Sequence, residues 1–195
     1  MNNRVFGAIL MLGMLSILLT GCCDKMGRYD IVIEADEGLK TATTVDVIGV
    51  SPSLQPRYHN QNVTEYFNPQ NPAAGLRAGA NNQHMIYQVT GKDGKLTPLQ
   101  FTVSGARSIT IGKDDPIWEK WAQGGPDTQL YIIANLEVAN PAESPPGIGD
   151  VRRAILPLNA CAWPDWLNTP GAIHILISRS GVESKSIPKS QYQIR

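Results

Sequence analysis

Short segments in which hydrophobic and polar residues alternate make up much of the chain. A period of two is typical of a strand that buries one face, because successive strand side chains point to opposite sides. In YDIVIEA, one face carries Tyr29, Ile31, Ile33 and Ala35. In TTVDVIGV, one face carries Val45, Val47 and Gly49, and the other carries Thr44, Ile48 and Val50. Further strands are predicted at HMIYQVT, LQFTVSG, RSITIG, QLYIIANLEV, VRRAILPL, AIHILISRS and VESKSI.

Few segments favour a helix. In DDPIWEKWAQGG, Asp115 is a predicted N-cap, Pro116 occupies the first helical position and the two glycines that follow end the helix. Residues 51–83 form a long irregular segment rich in Pro, Asn, Gln and Gly, and such excursions are often functional. Within it, NVTEYF suggests one helical turn that begins at Asn62, and Asp93-Gly94 indicates a hairpin further on. We therefore predict an all-β fold, a two-sheet antiparallel β-sandwich with one short helix.

The first residues follow a different pattern, with one positive charge at Arg4 and then an apolar run at residues 5–19. Fifteen residues rise only ~22 Å as a helix, which is short of the ~30 Å hydrocarbon core of a bilayer. The alternative is a short transmembrane anchor, but no Lys/Arg cluster follows the run. A basic start, a short apolar segment and small residues after it predict a cleaved signal peptide.

The residues after this run, LLTGCCDK, resemble the lipobox of bacterial lipoproteins. Leu19, Thr20, Gly21 and Cys22 match the motif position by position, whereas a register on Cys23 would put Thr20 in the aliphatic place. The resemblance implies cleavage before Cys22 and lipidation of its thiol and new amino group. We expect a signal peptide at residues 1–21, a lipidated tether at 22–28 and a single β-sandwich domain at 29–195.

The lipobox resemblance also implies a location. Bacterial lipoproteins carry three acyl chains, including palmitate, and two membrane signals already suffice for stable attachment. In enterobacteria, Asp directly after the lipidated cysteine retains the protein in the inner membrane. Here that position is Cys23, and Asp24 comes one residue later. The periplasmic face of the outer membrane is therefore favoured over the inner membrane.

Composition and motifs narrow the function. Removal of residues 1–21 from the 195-residue chain leaves 174, with 16 of the 17 Lys and Arg against 17 Asp and Glu, which argues against a nucleic-acid partner. The histidines, His59, His84 and His174, lie in no catalytic motif and form no metal-binding pattern with cysteines. We predict no enzymatic activity, no cofactor and no metal. Cys161 is either a buried thiol or a disulfide partner of Cys23.

Two pairs of tryptophans are candidate binding residues. Trp118 and Trp121 share a face of the predicted helix, and Trp163 and Trp166 repeat the spacing in a Pro-containing loop. One interpretation is that the helix closes one end of the sandwich with its tryptophan face. The other is an exposed aromatic platform for a glycan, a small ligand or the side chains of a partner.

The order of elements resembles a known family of envelope lipoproteins. YDIVIEADEGLKTATTVDVIGV looks like the opening of the type VI secretion outer-membrane lipoproteins, the TssJ family, and LYIIANLEVAN, DVRRAILPL and AIHILISRSGVES are similar to its later strands. The resemblance implies a two-sheet sandwich that holds a secretion complex at the outer membrane by binding a periplasmic partner protein. It carries no partner-binding residue over to this chain.

Overall fold

Two facing sheets make up the structure, a computed structural model that describes residues 26–68, 70, 77, 84–90, 105–137, 149–159 and 171–186. The described strands form a four-stranded sheet of order β5-β1-β8-β9 and a five-stranded sheet of order β4-β3-β2-β6-β7. Their bounds are β1 Asp30–Ala35, β2 Thr43–Val50, β3 His84–Val89, β4 Gly105–Ala106, β5 Ser108–Ile111, β6 Gln129–Ala134, β7 Arg153–Pro157, β8 Ala172–Ser178 and β9 Gly181–Ser184. The predicted all-β, two-sheet sandwich is confirmed.

The pairing is mixed rather than wholly antiparallel. β1 pairs with β5 antiparallel but with β8 parallel, and β3 pairs with β4 parallel. A tight turn forces only the strands it joins to run antiparallel. β1 and β8 are far apart along the chain, so no turn imposes their direction. The predicted turn at Asp93-Gly94 lies outside the described residues.

The core between the sheets is built from the inward face of each strand. Tyr29, Ile31, Ile33 and Ala35 are all buried there, as the alternation predicts. β2 contributes Val45 and Val47, and β8 and β6 add their own inward residues. This inter-sheet core is the main apolar contact of the sandwich, and it carries most of the hydrophobic stabilisation. The further members from β6 and β8 are Leu130, Ile132, Ala134, Ile173, Ile175 and Ile177.

A second apolar cluster covers the outer face of the five-stranded sheet. Two short helices, α1 (Gln55–His59) and α2 (Val63–Phe67), fold back over β2, β6 and β7. The predicted turn at Asn62 is confirmed, because its side chain accepts hydrogen bonds from the N–H groups of Thr64 and Glu65 at 2.8 and 3.2 Å. This outer cluster consists of Ile48, Val50, Tyr58, Val63, Tyr66, Tyr131, Ile133 and Ile155, with Leu54 and Phe67 packed against it.

The predicted helix near the tryptophans is α3, Ile117–Ala122, so the described residues hold three short helices rather than one. The N-cap of α3 is Pro116 rather than the predicted Asp115, and the helix begins one residue later than predicted, at Ile117. The carboxylate of Asp115 still accepts a 2.9 Å hydrogen bond from the N–H of Ile117, and Gly125, with φ of 88°, reverses the chain after the helix. In the part of the chain that the structure describes, no helix is long and apolar enough to span a membrane.

The two ends of the sandwich can be told apart by the backbone contacts and the strand directions found there. At the tether end, named for the predicted tether, the N–H of Gly27 donates to the carbonyl of Leu158 at 2.7 Å. Beside it, Met26 and Asn159 form an isolated antiparallel β-bridge through their backbones. β1 and β8 begin at this end and β2 finishes there. At the opposite, distal end, the N–H of Ala35 donates to the carbonyl of Arg107, and β1 passes into the turn at residues 36–42. Met26 and Gly27, which precede the predicted domain start at residue 29, are thus already paired with the sandwich.

Candidate interaction surfaces

The Trp118 and Trp121 side chains lie in the inter-sheet core, and both are 0% exposed. Their rings meet edge to face, with centroids 4.9 Å apart, and the indole N–H of Trp118 donates to the carbonyl of Gly112 at 2.9 Å. Trp121 lies directly over Gly49 of β2. The pair is thus part of the packing that closes the tether end, and no ligand reaches the rings while this end is closed.

The other candidate site residues from the sequence lie outside the part of the chain that the structure describes. The lipobox residues Leu19, Thr20 and Gly21, the predicted lipidation site Cys22, and both Trp163 and Trp166 lie outside the described residues. So do Cys23 and Cys161. Lipidation, the disulfide alternative and the second tryptophan pair therefore stay predictions.

A buried carboxylate lies at the centre of the outer face of the five-stranded sheet. Asp46 of β2 is 0% exposed, and it accepts hydrogen bonds from Nε of Arg77 at 2.7 Å and from the hydroxyl of Tyr66 at 2.9 Å. The guanidinium of Arg77 also lies 5.1 Å from the ring centre of Phe67. Since a buried charge is costly without a partner, Arg77 and Tyr66 are needed to hold Asp46 in place.

The pKa values around Asp46 reflect this arrangement. Burial, reinforced by the negative charge of Asp46, raises the pKa of Tyr66 well above its usual value, so the phenol stays protonated as a donor. Burial is the largest influence and acts to lower the pKa of Arg77, but the hydrogen bonds to Asp46 and the negative charge of Asp46 together outweigh burial and leave that pKa raised. Both groups therefore keep the protonation state that the contact with Asp46 requires.

Two more arginines, Arg152 and Arg153, connect helices α1 and α2 to the five-stranded sheet. Arg152 forms a buried ion pair with Asp150, with Nη2 2.7 Å from the carboxylate, and its Nη1 donates to the hydroxyl of Thr64 at 2.8 Å. Arg153 of β7 donates to the carbonyl of Tyr58 at 2.6 Å. Burial lowers the pKa of Arg153. Within the segment predicted to be irregular, residues 51–68 are therefore a firmly attached cover on the sheet.

His59 makes the attachment of this cover sensitive to pH. Burial and the charge of Arg153 lower the pKa of His59, against an opposing hydrogen bond with Gln129. A lowered pKa in the folded state means that the unfolded chain binds more protons below the usual value near 6.5. The free energy of unfolding should therefore fall as the pH drops from 7 through the folded pKa of His59. Urea unfolding across this range should show that slope in the wild type and in His174→Gln, whose histidine is exposed, but a weaker slope in His59→Gln.

A groove lies on the outer face of the four-stranded sheet, towards the distal end. It has a volume of ≈ 410 Å³ and combines charged walls with a partly buried apolar residue. Arg107 forms an exposed ion pair with Glu37 at 2.6 Å, and Lys185 lies 3.9 Å from Glu34. We call this the distal groove. Its lining includes Glu34, Asp36, Glu37, Arg107, Leu176 and Lys185.

Sequence reasoning did not single out either of these charged arrangements. Asp46 did carry a signal, because a lone acidic residue in the apolar strand TTVDVIGV indicates a buried partner. The distal groove carries no such signal, since Glu37 and Arg107 are 70 residues apart in the chain. Among the described residues, no group of three or more His, Cys, Asp or Glu side chains could hold a metal ion.

The fold and these surfaces define a protein of the all-β class, a two-sheet sandwich with a helical cover on one sheet. A comparison with protein families finds no match, and neither does a comparison with curated proteins. Among solved structures, the chain is similar to Serratia marcescens Lip, described as a membrane-bound component of the type VI secretion system, with 15% identity and a TM-score of 0.43, covering 80% of this chain and 96% of Lip. It is also similar to the type VI secretion lipoprotein TssJ1 from Pseudomonas aeruginosa, with 10% identity and a TM-score of 0.38, covering 84% of this chain and all of TssJ1.

Proposed function

We propose that this protein is a lipid-anchored envelope lipoprotein that acts by protein–protein contact. Cys22 would carry the lipid and hold the sandwich on the periplasmic face of the outer membrane. A periplasmic partner protein would bind the sandwich, and the pair would tether a type VI secretion-like complex to that membrane. No enzymatic step and no cofactor belong to this function.

The lipobox is the observation that carries the proposal. Leu19, Thr20, Gly21 and Cys22 match the motif in one register only, and they follow an apolar segment too short to span a bilayer. Met26, four residues after Cys22, is paired with Asn159 of the sandwich, so the anchor would pass almost directly into the fold. The secretion role depends on the resemblance of the strand order to the TssJ family, described above from the sequence.

The distal groove is the best candidate for the partner contact among the described surfaces. It is concave, it lies away from the tether end, and its charged side chains are partly exposed rather than used in the core. Charged residues around a partly apolar floor favour specific protein association, because they select a partner of complementary charge. A segment with basic side chains would match Glu34 and Glu37.

Replacing Cys22 with serine should abolish anchoring by lipid. Without the thiol, no lipid can be attached and the signal peptide should stay uncut or release a soluble form. Metabolic labelling with a palmitate analogue, followed by membrane fractionation, measures both steps. Cys23→Ser is the matched control and should keep labelling and anchoring. If labelling instead depended on Cys23 and survived in Cys22→Ser, the proposed lipobox register would be wrong.

The double variant Glu34→Lys/Glu37→Lys should lose the partner. Both residues are at the surface, so the charge reversal should leave the fold intact while it repels a basic partner segment. A pulldown from envelope extracts, read by mass spectrometry, should recover secretion-complex components with the wild type and with Glu65→Lys, a charge reversal on the exposed side of α2. Recovery of no envelope protein by the wild type would refute the proposed role.

A further inference from the structure

The exposed residues of the tether end form a second surface. Its distance from the membrane is limited by the short stretch of chain between Cys22 and Met26. Helix α3 closes this end, and its outward side chains lie beside Arg28, which pairs with Glu119 at 2.8 Å. The loop before α3 joins them, because the N–H of Lys113 donates to Asp30 at 2.7 Å. We call this the tether-end surface. It consists of Arg28, Lys113, Asp114, Glu119, Lys120 and Gln123, all exposed.

The chain is fixed to the sandwich immediately after the predicted lipidation site. Gly27 bonds to Leu158, Met26 bridges Asn159, and Tyr29 is buried in the core. Met26 is the fourth residue after Cys22. Four residues reach at most about 14 Å when fully extended, at ~3.3–3.6 Å each. A lipid on Cys22 would therefore keep Met26 within that distance of the membrane surface.

This reach is short compared with the sandwich itself. The eight residues of β2 span about 25 Å at ~3.3 Å per residue, from the distal end to the tether end. The distal end could reach the membrane only if the domain lay flat on a sheet face. The outer face of the four-stranded sheet carries Glu34 and Glu183 against Lys185, and an anionic bilayer disfavours this acidic excess. The tether-end surface carries three basic and two acidic residues, which an anionic bilayer tolerates.

We propose that the tether-end surface rests against the lipid headgroups, so that the sandwich stands with the distal groove facing away from the membrane. This depends on lipidation of Cys22, as proposed above. Lys113 and Lys120 are then close to lipid phosphates, whereas Lys40, in the turn after β1, faces the aqueous space. The surface binds a bilayer because the tether holds it there, with electrostatic attraction as a smaller contribution.

Amine labelling of the native lysines tests this orientation. The full lipidated protein is reconstituted in vesicles of phosphatidylethanolamine with a minority of phosphatidylglycerol, treated with an amine-reactive reagent and analysed by mass spectrometry. The Cys22→Ser protein without residues 1–21, in solution, is the reference. Labelling of Lys113 and Lys120 should be several-fold slower on vesicles, while labelling of Lys40 should not change. Equal labelling of all three lysines, or protection of Lys40 alone, would overturn the orientation.

A longer tether provides the matched control. Inserting a Gly/Ser linker of about ten residues after Asp24 adds ~35 Å of reach, so the domain would no longer be held at the surface. Labelling of Lys113 and Lys120 should then return towards the soluble value, while the protein still floats with vesicles. If protection persisted in this variant, the tether would not be its cause. A lipoprotein that fails to float with vesicles at all refutes the lipid anchor, and the orientation with it; one that floats without protection refutes the orientation alone.

Discussion

Replacing Arg77 with methionine is expected to lower the free energy of unfolding by about 3 kcal/mol, the lower end of the range for removing one partner of a buried ion pair, because the Arg77 side chain is itself 30% exposed. Asp46 is fully buried, and in the variant it would keep the hydroxyl of Tyr66 but lose its contacts with the Arg77 guanidinium. Methionine retains the apolar stem of Arg77 without its guanidinium, so the loss reports the contacts of that group with Asp46 and with the Phe67 ring. Urea unfolding followed by tryptophan fluorescence measures it.

An exposed ion pair is the matched control for this prediction. Arg107 and Glu37 are 56% and 68% exposed, so Arg107→Met should cost less than about 1 kcal/mol. The double variant Arg77→Met/Asp46→Asn should recover part of the stability, because it also removes the buried negative charge that the Arg77 guanidinium balances. If Arg77→Met cost no more than Arg107→Met, the helical cover would not depend on this buried pair.

The strands and the inter-sheet core were accessible from sequence because they depend on local patterns. The alternation in YDIVIEA places Ile31 and Ile33 in the core, and both are fully buried as predicted. A period of two is set by the geometry of the strand alone, so it needs no knowledge of distant residues. The same is true of Asn62, whose side chain bonds to N–H groups only two and three residues further on.

The outer cluster was not accessible in this way. β2 buries Ile48 and Val50 on the face opposite Val45 and Val47, because residues 55–67 fold back over that face. The cover is rich in turn-forming residues, and its attachment depends on guanidinium groups from distant parts of the chain. Arg152, for example, reaches Thr64 across 88 positions. Such contacts leave no period in the sequence, so a cover of this kind is predicted as an irregular loop.

For the candidate sites, too, local spacing was predictable from the sequence, whereas contacts between distant residues were not. The spacing of Trp118 and Trp121 predicts correctly that they share a helix face, but exposure depends on what lies opposite. Gly49 of β2 leaves room for an indole ring, and this is visible only when β2 and α3 are placed together. The distal groove likewise forms where β1 and β5 meet, so its charged residues look like ordinary surface residues in the sequence.

Truncation of Trp121 should therefore affect stability rather than ligand binding. Trp121→Ala is expected to lower the free energy of unfolding by about 3–5 kcal/mol, the usual cost of removing a large aromatic side chain from a core. Gly49→Ala in the wild type should cost about 1–3 kcal/mol, because its new methyl group would overlap the indole ring. Urea unfolding measures both losses, and titration with soluble saccharides provides the readout for a binding role.

The combination of the two changes is the sharper test. In the Trp121→Ala background the ring that Gly49→Ala would strike is gone, so the added methyl group should cost little or even stabilise by filling the cavity. The two losses should therefore be strongly non-additive, which is expected only if Trp121 packs directly on Gly49. Additive losses would contradict that packing. A Trp121→Ala protein with unchanged stability but abolished saccharide quenching would instead identify the ring as an exposed aromatic platform.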